Sequence, residues 1–266
     1  MISTVIFDLG KVLMGYGWDK YLHSIVGEDA IAYRTLEQAI FLSPCWEEHD
    51  KGLMSEEEEL WDFISNAPDY EPEIRAVYEN LGQCTWPYDY ADNWVRELKE
   101  RGHKVYALSN WPKHIYDQRR DVMGFLDRMD GYHLSYRTHK NKPDPEAFTG
   151  LFEAYGIIPE QAVFIDDNAP NIEMAKKLGL HAIRFASYEH WIHFCKSEGP
   201  HVATCGPSLG FFIFSDTASA SCRRREKPGQ KSYIQARPSA KASRRLGPRR
   251  RRLGSSHTCP PAELRQ

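Results

Sequence analysis

The sequence lacks the marks of a disulfide-rich secreted protein and of a membrane-spanning protein. Its six cysteines are widely spaced and include no C-x-x-C pair: Cys45, Cys84, Cys195, Cys205, Cys222 and Cys259. We therefore expect free thiols in a reducing cytoplasm. No window approaches the roughly 20 apolar residues that a membrane-spanning helix requires, and the first residues resemble a strand more than a signal peptide. These absences predict a cytoplasmic protein without a membrane partner.

Basic residues are scarce in most of the chain and concentrated at its end. Residues 199–266 contain 14 Lys and Arg against 3 Asp and Glu, whereas residues 1–198 contain 20 against 34. The end segment is rich in Ser, Pro, Gly and Arg and has no periodicity, so we expect a disordered basic tail. Its arginine clusters would bind nucleic acid only non-specifically. We favour a tail without function, from read-through, a frameshift or a gene-model error.

Three short apolar runs predict buried strands of a parallel sheet. They are "STVIFD" from Ser3, "KVYALSN" from Lys104 and "AVFIDD" from Ala162. Nearly continuous apolar runs that end in polar groups are typical of strands covered on both faces. Helical patterns separate them, such as "DPEAFTGLFEAYG", which begins with an aspartate N-cap and proline and ends in glycine. The alternation predicts an α/β fold with a Rossmann-like parallel sheet.

Polar residues follow all three predicted strands. They are Asp8, the pair Ser109 and Asn110, and the pair Asp166 and Asp167. In open α/β sheets, ligands bind outside the carboxyl ends of the strands. We therefore expect these side chains to meet at one edge of the sheet.

The residue types at this edge suit phosphoryl transfer. Mg²⁺ takes one or two carboxylates together with waters and phosphate oxygens. Ser109 and Asn110 can hold phosphate oxygens, and Lys140 or Lys142, just before a predicted helix, can neutralise the charge on a transferred phosphoryl group. A small phosphorylated metabolite is the predicted partner.

The segment after the first strand departs from the strand–helix alternation. Residues 15–85 contain helical patterns only, and "SEEEELWDFISNA" opens with a capping box of Ser55 and Glu58. We expect a small helical cap that covers the edge of the sheet as a lid. The predicted domains are a core of residues 1–14 and 86–198, a cap of residues 15–85, and the tail.

Four ordered motifs resemble those of the haloacid dehalogenase (HAD) superfamily over residues 1–198. They are Asp8 in "FDLGKVL", Ser109 in "ALSNWP", Lys142 in "KPDPEAF" and Asp167 in "FIDDNAPNIEMAKKLG". The first motif is similar to that of bacterial α-D-glucose-1-phosphate phosphatase-like proteins, in subfamily IA. The resemblance implies a Rossmann-like core, Mg²⁺, and hydrolysis of a small phosphomonoester.

The resemblance also implies a role for each motif residue. Asp8 would be a metal ligand and the nucleophile that forms an aspartyl-phosphate. The residues around the phosphoryl group would be Ser109, Asn110 and Lys142. The other metal ligands would be Asp167 and the Gly10 carbonyl. Asp166 would contact the metal through a water molecule or would hydrogen-bond to the residues that bind it.

Gly10 departs from the family pattern, because most HAD phosphatases carry a second aspartate there as general acid and base. General acid catalysis contributes about 10²–10⁴-fold, so its loss would slow a phosphatase without abolishing activity. A sugar 1-phosphate would need little acid, since its leaving oxygen is comparatively acidic. We therefore favour a sugar-phosphate phosphatase. The alternatives are a catalytically weak phosphate-binding or regulatory protein and, less favoured, a haloacid dehalogenase.

Four further residues are candidate substrate contacts. Aromatic faces pack well on sugar rings, and Lys11 follows the nucleophile closely. The candidates are Lys11, Trp18, Trp46 and Trp111. The alternative for the tryptophans is a place in the hydrophobic core, and the alternative for Lys11 is a solvent-facing position.

Overall fold

The computed structural model describes residues 2–43 and 45–189, so the predicted tail and the end of the predicted core lie outside the described residues. Within them the strands are β1 (Thr4–Phe7), β2 (Met14–Tyr16), β3 (Thr85–Pro87), β4 (Lys104–Ser109), β5 (Gly131–Leu134), β6 (Ala162–Asp166) and β7 (His181–Arg184). The α-helices are α1 (Trp18–Val26), α2 (Ala30–Leu36), α3 (Trp46–Asp50), α4 (Glu56–Asn66), α5 (Glu71–Glu79), α6 (Ala91–Glu100), α7 (Lys113–Arg119), α8 (Ser135–Thr138), α9 (Pro145–Tyr155) and α10 (Ala169–Lys177). A π-helix, Glu37–Phe41, continues α2.

Five strands form a parallel sheet in the order β5-β4-β1-β6-β7. Phe7 at the end of β1 pairs with Ala107 on one side and with Ile165 on the other. The carboxyl ends of β1, β4 and β6 are therefore level, and the residues that follow them meet at one edge. The predicted α/β class and parallel Rossmann-like sheet are confirmed.

Apolar layers cover both faces of this sheet. Successive side chains of β1 point to opposite faces, and all four are buried. Phe7 packs edge-on against Trp94 of α6, with ring centroids 4.8 Å apart. On the other face, Phe164 of β6 packs against Phe148 of α9 at 5.3 Å. The burial of both faces explains why β1 and β6 are continuous apolar runs in the sequence.

The helical segment between β1 and β4 leaves and re-enters the core through a short ribbon. Strands β2 and β3 pair antiparallel, with Gly15 opposite Trp86. A Cβ atom at Gly15 would lie 2.1 Å from the Trp86 ring, so only glycine allows this approach. Helices α1 to α5 lie between the two strands, and Ser55 and Glu58 form the predicted capping box of α4. The exact domain boundaries remain a prediction.

Three hydrogen bonds hold helix α3 and the residue after it against the core. In each, a core side chain donates to a backbone carbonyl of the cap. The bonds are Asn141 Nδ2 to Glu47 (2.7 Å), Ser135 Oγ to Asp50 (2.5 Å) and His139 Nδ1 to Lys51 (2.7 Å). This segment of the cap is therefore docked through its backbone.

Two expectations about the chain as a whole can be compared with the described residues. Cys84 is a buried free thiol, as predicted, whereas Cys195, Cys205, Cys222 and Cys259 lie outside the described part. Among residues 2–43 and 45–189, every helix is too short or too polar to span a bilayer.

Candidate active site

Asp8 follows β1 directly and is a buried residue, with 7% of its surface exposed. Ser109, the last residue of β4, donates a hydrogen bond from Oγ to Asp8 Oδ1 at 2.7 Å. The Lys142 ammonium lies 2.8 Å from the same oxygen. Within the described residues no hydrogen bond to Oδ2 is recorded. One carboxylate oxygen is therefore held by the protein and the other is available for chemistry.

Lys142 links two buried carboxylates. Its Nζ lies 2.8 Å from Asp8 Oδ1 and 2.6 Å from Asp166 Oδ2. Burial alone lowers the pKa of Lys142, but Asp8 and Asp166 outweigh it and raise the pKa above the ordinary value. The side chain therefore remains an ammonium.

Asn110 fixes the backbone of Lys142. Its Nδ2 donates to the Lys142 carbonyl at 2.9 Å, and its Oδ1 accepts from the Lys142 N–H at 2.8 Å. Both ends of the Asn110 side chain are thus used within the protein. A phosphate contact of Asn110, as the sequence predicts, would come from its backbone N–H or from the second hydrogen of Nδ2.

Asp166 is fully buried and accepts hydrogen bonds on both of its carboxylate oxygens. Oδ2 accepts from Lys142 and from Asn171 Nδ2 at 3.0 Å, and Oδ1 accepts from the Asn168 backbone N–H at 2.7 Å. These contacts hold the Asp166 carboxylate in place. It in turn positions the Lys142 ammonium beside Asp8.

Three carboxylates crowd the edge of the sheet. Asp8, Asp166 and Asp167 each offer one oxygen, and the three oxygens lie within 4.8 Å of one another. Burial raises the pKa of Asp8 to about 6, although Lys142 opposes the shift. Burial and the charge of Asp166 also raise the pKa of Asp167. A divalent cation would relieve this repulsion, and carboxylate oxygens are the ligands that Mg²⁺ prefers, so the donor set fits Mg²⁺.

A cavity of about 170 Å³ adjoins this edge. Both the core and the cap contribute to its wall. The lining residues are Gly10, Tyr16, Trp46, Asp50, Thr85, Asn110, Trp111, Pro112 and Ile115. A small ligand in this cavity would therefore contact the predicted phosphate-binding region and the cap together.

The predicted substrate contacts occupy different places. Trp46 and Trp111 line the cavity. The Trp111 indole N–H is buried and has no hydrogen-bond partner in the described part of the chain. Trp18 is not among the lining residues and stacks on Phe41 with centroids 5.0 Å apart. Lys11 has 59% of its side chain exposed, and its Nζ lies 3.9 Å from Asp167.

Asp50 is an acidic residue of the cavity that the sequence analysis does not predict. It lies in the acidic stretch "WEEHDKG", where nothing in the spacing separates it from the exposed Glu47 and Glu48. Its burial depends on the docking of α3 onto Ser135, which is 85 residues away in the chain. A local pattern does not carry that information.

The family is decided by a comparison with known sequences. The family model of haloacid dehalogenase-like hydrolases matches residues 2–179. The chain belongs to this family. The HAD-family resemblance predicted from the four motifs is confirmed, and the protein is a HAD-family hydrolase.

Curated relatives of this HAD-family hydrolase include phosphatases from distant organisms. A sesquiterpene phosphatase of Aspergillus oryzae is 25% identical over 178 residues, which are 67% of this chain and 87% of the relative. A D-ribitol-5-phosphate phosphatase of Bacteroides thetaiotaomicron is 23% identical and is covered over 95% of its length, against 72% of this chain. The names of these relatives share a reaction but not a substrate.

A solved structure supports the fold. A HAD family enzyme of Bacteroides thetaiotaomicron, crystallised with magnesium and inorganic phosphate, superposes with a TM-score of 0.59 at 23% identity. The match covers 73% of this chain and 99% of that structure. At this identity the likeness shows the shared fold.

Proposed function

We propose that this protein is a Mg²⁺-dependent phosphatase that hydrolyses a small phosphomonoester through an aspartyl-phosphate on Asp8. The observation that carries the proposal is the state of the Asp8 carboxylate. Ser109 and Lys142 hold Oδ1, which leaves Oδ2 for attack on phosphorus. Phosphatase relatives and the family membership support the same reaction.

Each residue at the carboxyl edge of the sheet has a separate role in the proposed reaction. Asp8 Oδ2 attacks the phosphorus atom while Ser109 Oγ keeps the carboxylate oriented. The Lys142 ammonium stabilises charge on the transferred phosphoryl group and is itself positioned by Asp166. When bound, Mg²⁺ would neutralise phosphate charge from a site formed by Asp8 and Asp167, with the Gly10 carbonyl and Asp166 as the further predicted members.

The cavity favours a small substrate. Drug-sized ligands occupy clefts of roughly 300–1,000 Å³, whereas this cavity measures about 170 Å³. Trp46 and Trp111 line it with aromatic surface. A phosphorylated sugar or polyol fits these features, and the lack of an acid at Gly10 keeps a sugar 1-phosphate among the candidates.

Phosphate release tests the proposal directly. We would assay a panel of sugar phosphates, polyol phosphates, nucleotides and p-nitrophenyl phosphate with Mg²⁺ and with EDTA. We expect metal-dependent release from a small phosphomonoester and a loss on the order of 10⁴-fold or more in Asp8→Asn. Asp89→Asn, a carboxylate remote from the motifs in sequence, is the matched control.

The second candidate is a catalytically weak phosphate-binding or regulatory protein, which Gly10 favours. It predicts that the folded protein binds Mg²⁺ and inorganic phosphate but releases no phosphate from any substrate in the panel. That result would overturn the phosphatase. Binding of phosphate measured by calorimetry separates this case from an unfolded sample.

A further inference from the structure

Asp50 is a buried carboxyl group that the reaction described above does not use. It ends helix α3 of the cap, has 8% of its surface exposed and lines the same cavity as Gly10. Within the part of the chain that the structure describes, no group donates a hydrogen bond to its carboxyl oxygens. A buried carboxyl group without a protein partner is destabilising unless water or a ligand completes its hydrogen bonds. Such a group is most readily explained by a ligand that completes its contacts.

The core fixes Asp50 at this position. The Ser135 hydroxyl donates to the Asp50 carbonyl at 2.5 Å and accepts from the Trp111 backbone N–H at 2.8 Å. The same hydroxyl thus joins the end of α3 to the loop after β4, which follows Ser109. Asp50 is therefore held against the wall of the cavity on the side of the predicted phosphate site.

The cavity has room for a side chain at position 10. A Cβ atom built on Gly10 meets no atom within 4 Å, and the backbone there does not need glycine. The usual acid of HAD phosphatases would fit at this position, but the sequence supplies none. The cavity therefore receives its carboxyl group from the cap instead of from the first motif.

The surroundings of Asp50 favour its protonated form. Burial raises its pKa to about 8, and the charges of Glu47 on α3, Glu59 on α4 and Asp8 after β1 add to the shift. Tyr16 of β2 faces the same carboxyl, which helps to raise the pKa of its phenol. Among residues 2–43 and 45–189, the charged groups that shift the pKa of Asp50 are all acidic. A carboxyl group in this setting can donate a proton near neutral pH.

We propose that Asp50 is the general acid and base of the reaction and takes the place of the carboxyl group that is missing at Gly10. The inference rests on the proposed phosphatase function. It also removes the need for an activated leaving group, so that ordinary alkyl phosphates become substrates.

The proton balance is complete with these residues. As Asp8 Oδ2 bonds to phosphorus, the bond from phosphorus to the ester oxygen breaks, and that oxygen takes the electron pair and the Asp50 proton to leave as an alcohol. Asp50 is left as a carboxylate. It then takes a proton from a water molecule as the water oxygen attacks phosphorus, which breaks the bond to Asp8 and releases phosphate. Both carboxyl groups regain their starting state.

Leaving-group dependence tests this role. We would compare kcat/KM for ribitol 5-phosphate, whose leaving alkoxide is strongly basic, with that for p-nitrophenyl phosphate, whose leaving group needs little protonation. Asp50→Asn should lower the value for the alkyl ester by about 10²–10⁴-fold. The loss for the aryl ester should be at least about tenfold smaller. Glu48→Gln, which removes an exposed carboxylate from the same helix, should change neither value.

A second substitution tests the position of the acid. Adding Gly10→Asp to Asp50→Asn should restore at least about tenfold of the lost activity on the alkyl ester, because a carboxyl at position 10 shares the cavity. Thermal unfolding of each variant establishes that it is folded. A merely structural role of Asp50 would not be rescued from position 10.

The dependence of kcat/KM on the leaving group of the substrate tests the role of Asp50 in the unmodified protein, so it can be measured even if the variants fail to fold. With a series of aryl phosphates, an acid that protonates the leaving oxygen makes kcat/KM nearly independent of leaving-group pKa, whereas a steep dependence overturns the role of Asp50. Equal losses on both esters in folded Asp50→Asn, or no loss, also overturn it. If the unmodified protein releases no phosphate from either ester, the phosphatase function itself fails, and this role fails with it.

Discussion

The core side and the cap side of the candidate active site hold their buried carboxyl groups in opposite ways. On the core side, Asp166 is fully buried and both of its oxygens accept hydrogen bonds, one of them from the Lys142 ammonium. On the cap side, Asp50 is buried with no recorded partner for its carboxyl in the described residues, and burial raises its pKa to about 8. A satisfied carboxylate holds other groups in place, whereas an unsatisfied one is free to exchange a proton. Three substitutions test this contrast.

Lys142→Met should have the largest effect, because it removes the only ammonium recorded beside Asp8 and Asp166 within the described residues. Breaking a buried ion pair leaves uncompensated charge and costs roughly 3–5 kcal/mol. We expect a loss of unfolding free energy of that order in metal-free buffer, together with loss of phosphate release. Chemical denaturation measures the first and the Mg²⁺ assay the second. Lys140→Met, an exposed neighbour, is the control, and equal stability of the two variants would contradict the assigned contacts.

Asp50→Asn should have an intermediate effect on stability that depends on pH. The folded-state pKa of Asp50, about 8, lies above the ordinary value of 3.8, so the folded protein holds a proton that the unfolded chain has lost between these pH values. The contribution of Asp50 to stability therefore falls as pH rises from about 4 to 8. The asparagine variant escapes this loss and should be more stable than the unmodified protein at pH 8, by about 1–3 kcal/mol.

The same comparison at pH 5 provides its own control. There the unmodified protein has Asp50 protonated, and the difference between the two melting temperatures should shrink. Glu48→Gln should show no such trend, since that carboxylate is exposed and paired with Lys51. A pH-independent difference for Asp50→Asn would show that the carboxyl is already ionised when buried.

Ser135→Ala should have the smallest effect of the three. It removes the hydroxyl that joins α3 to the Trp111 loop, and a hydrogen bond of this kind contributes about 0.5–1.5 kcal/mol. We expect a modest loss of stability and a KM that rises several-fold for a small phosphomonoester. Ser65→Ala is the control, because the Ser65 hydroxyl donates to the Trp61 carbonyl within α4. An unchanged KM would mean that α3 is positioned by its other two contacts.

The sequence predicts the core side of the site better than the cap side. The carboxyl ends of parallel strands meet at one edge, so polar residues after apolar runs locate Asp8, Ser109 and Asp167 without any knowledge of the cap. Strands β5 and β7 escape prediction because "GYHL" and "HAIR" mix polar and apolar residues at the edges of the sheet. These outer strands have a neighbour on one side only, which relaxes their composition.

The cap side depends on contacts between distant segments. Asp50 and Ser135 are 85 residues apart, and Glu47 and Asn141 are 94 apart. Their pairing is a property of the folded chain, since the donors bind backbone carbonyls that every residue type possesses. The pattern "EEHD" alone is typical of an acidic surface. Asp50 is buried because α3 docks against the core.

The docking of α3 through its backbone has a consequence for how substrate preference can diverge. Asn141, Ser135 and His139 all bind carbonyl oxygens, so none of the three bonds requires a particular side chain on the cap. A residue such as Trp46 can then be substituted while α3 keeps its hydrogen bonds to the core. The docking of the cap thus depends on its backbone, whereas contacts with substrate depend on its side chains. Substrate preference can therefore change through single substitutions in the cap without loss of these three hydrogen bonds.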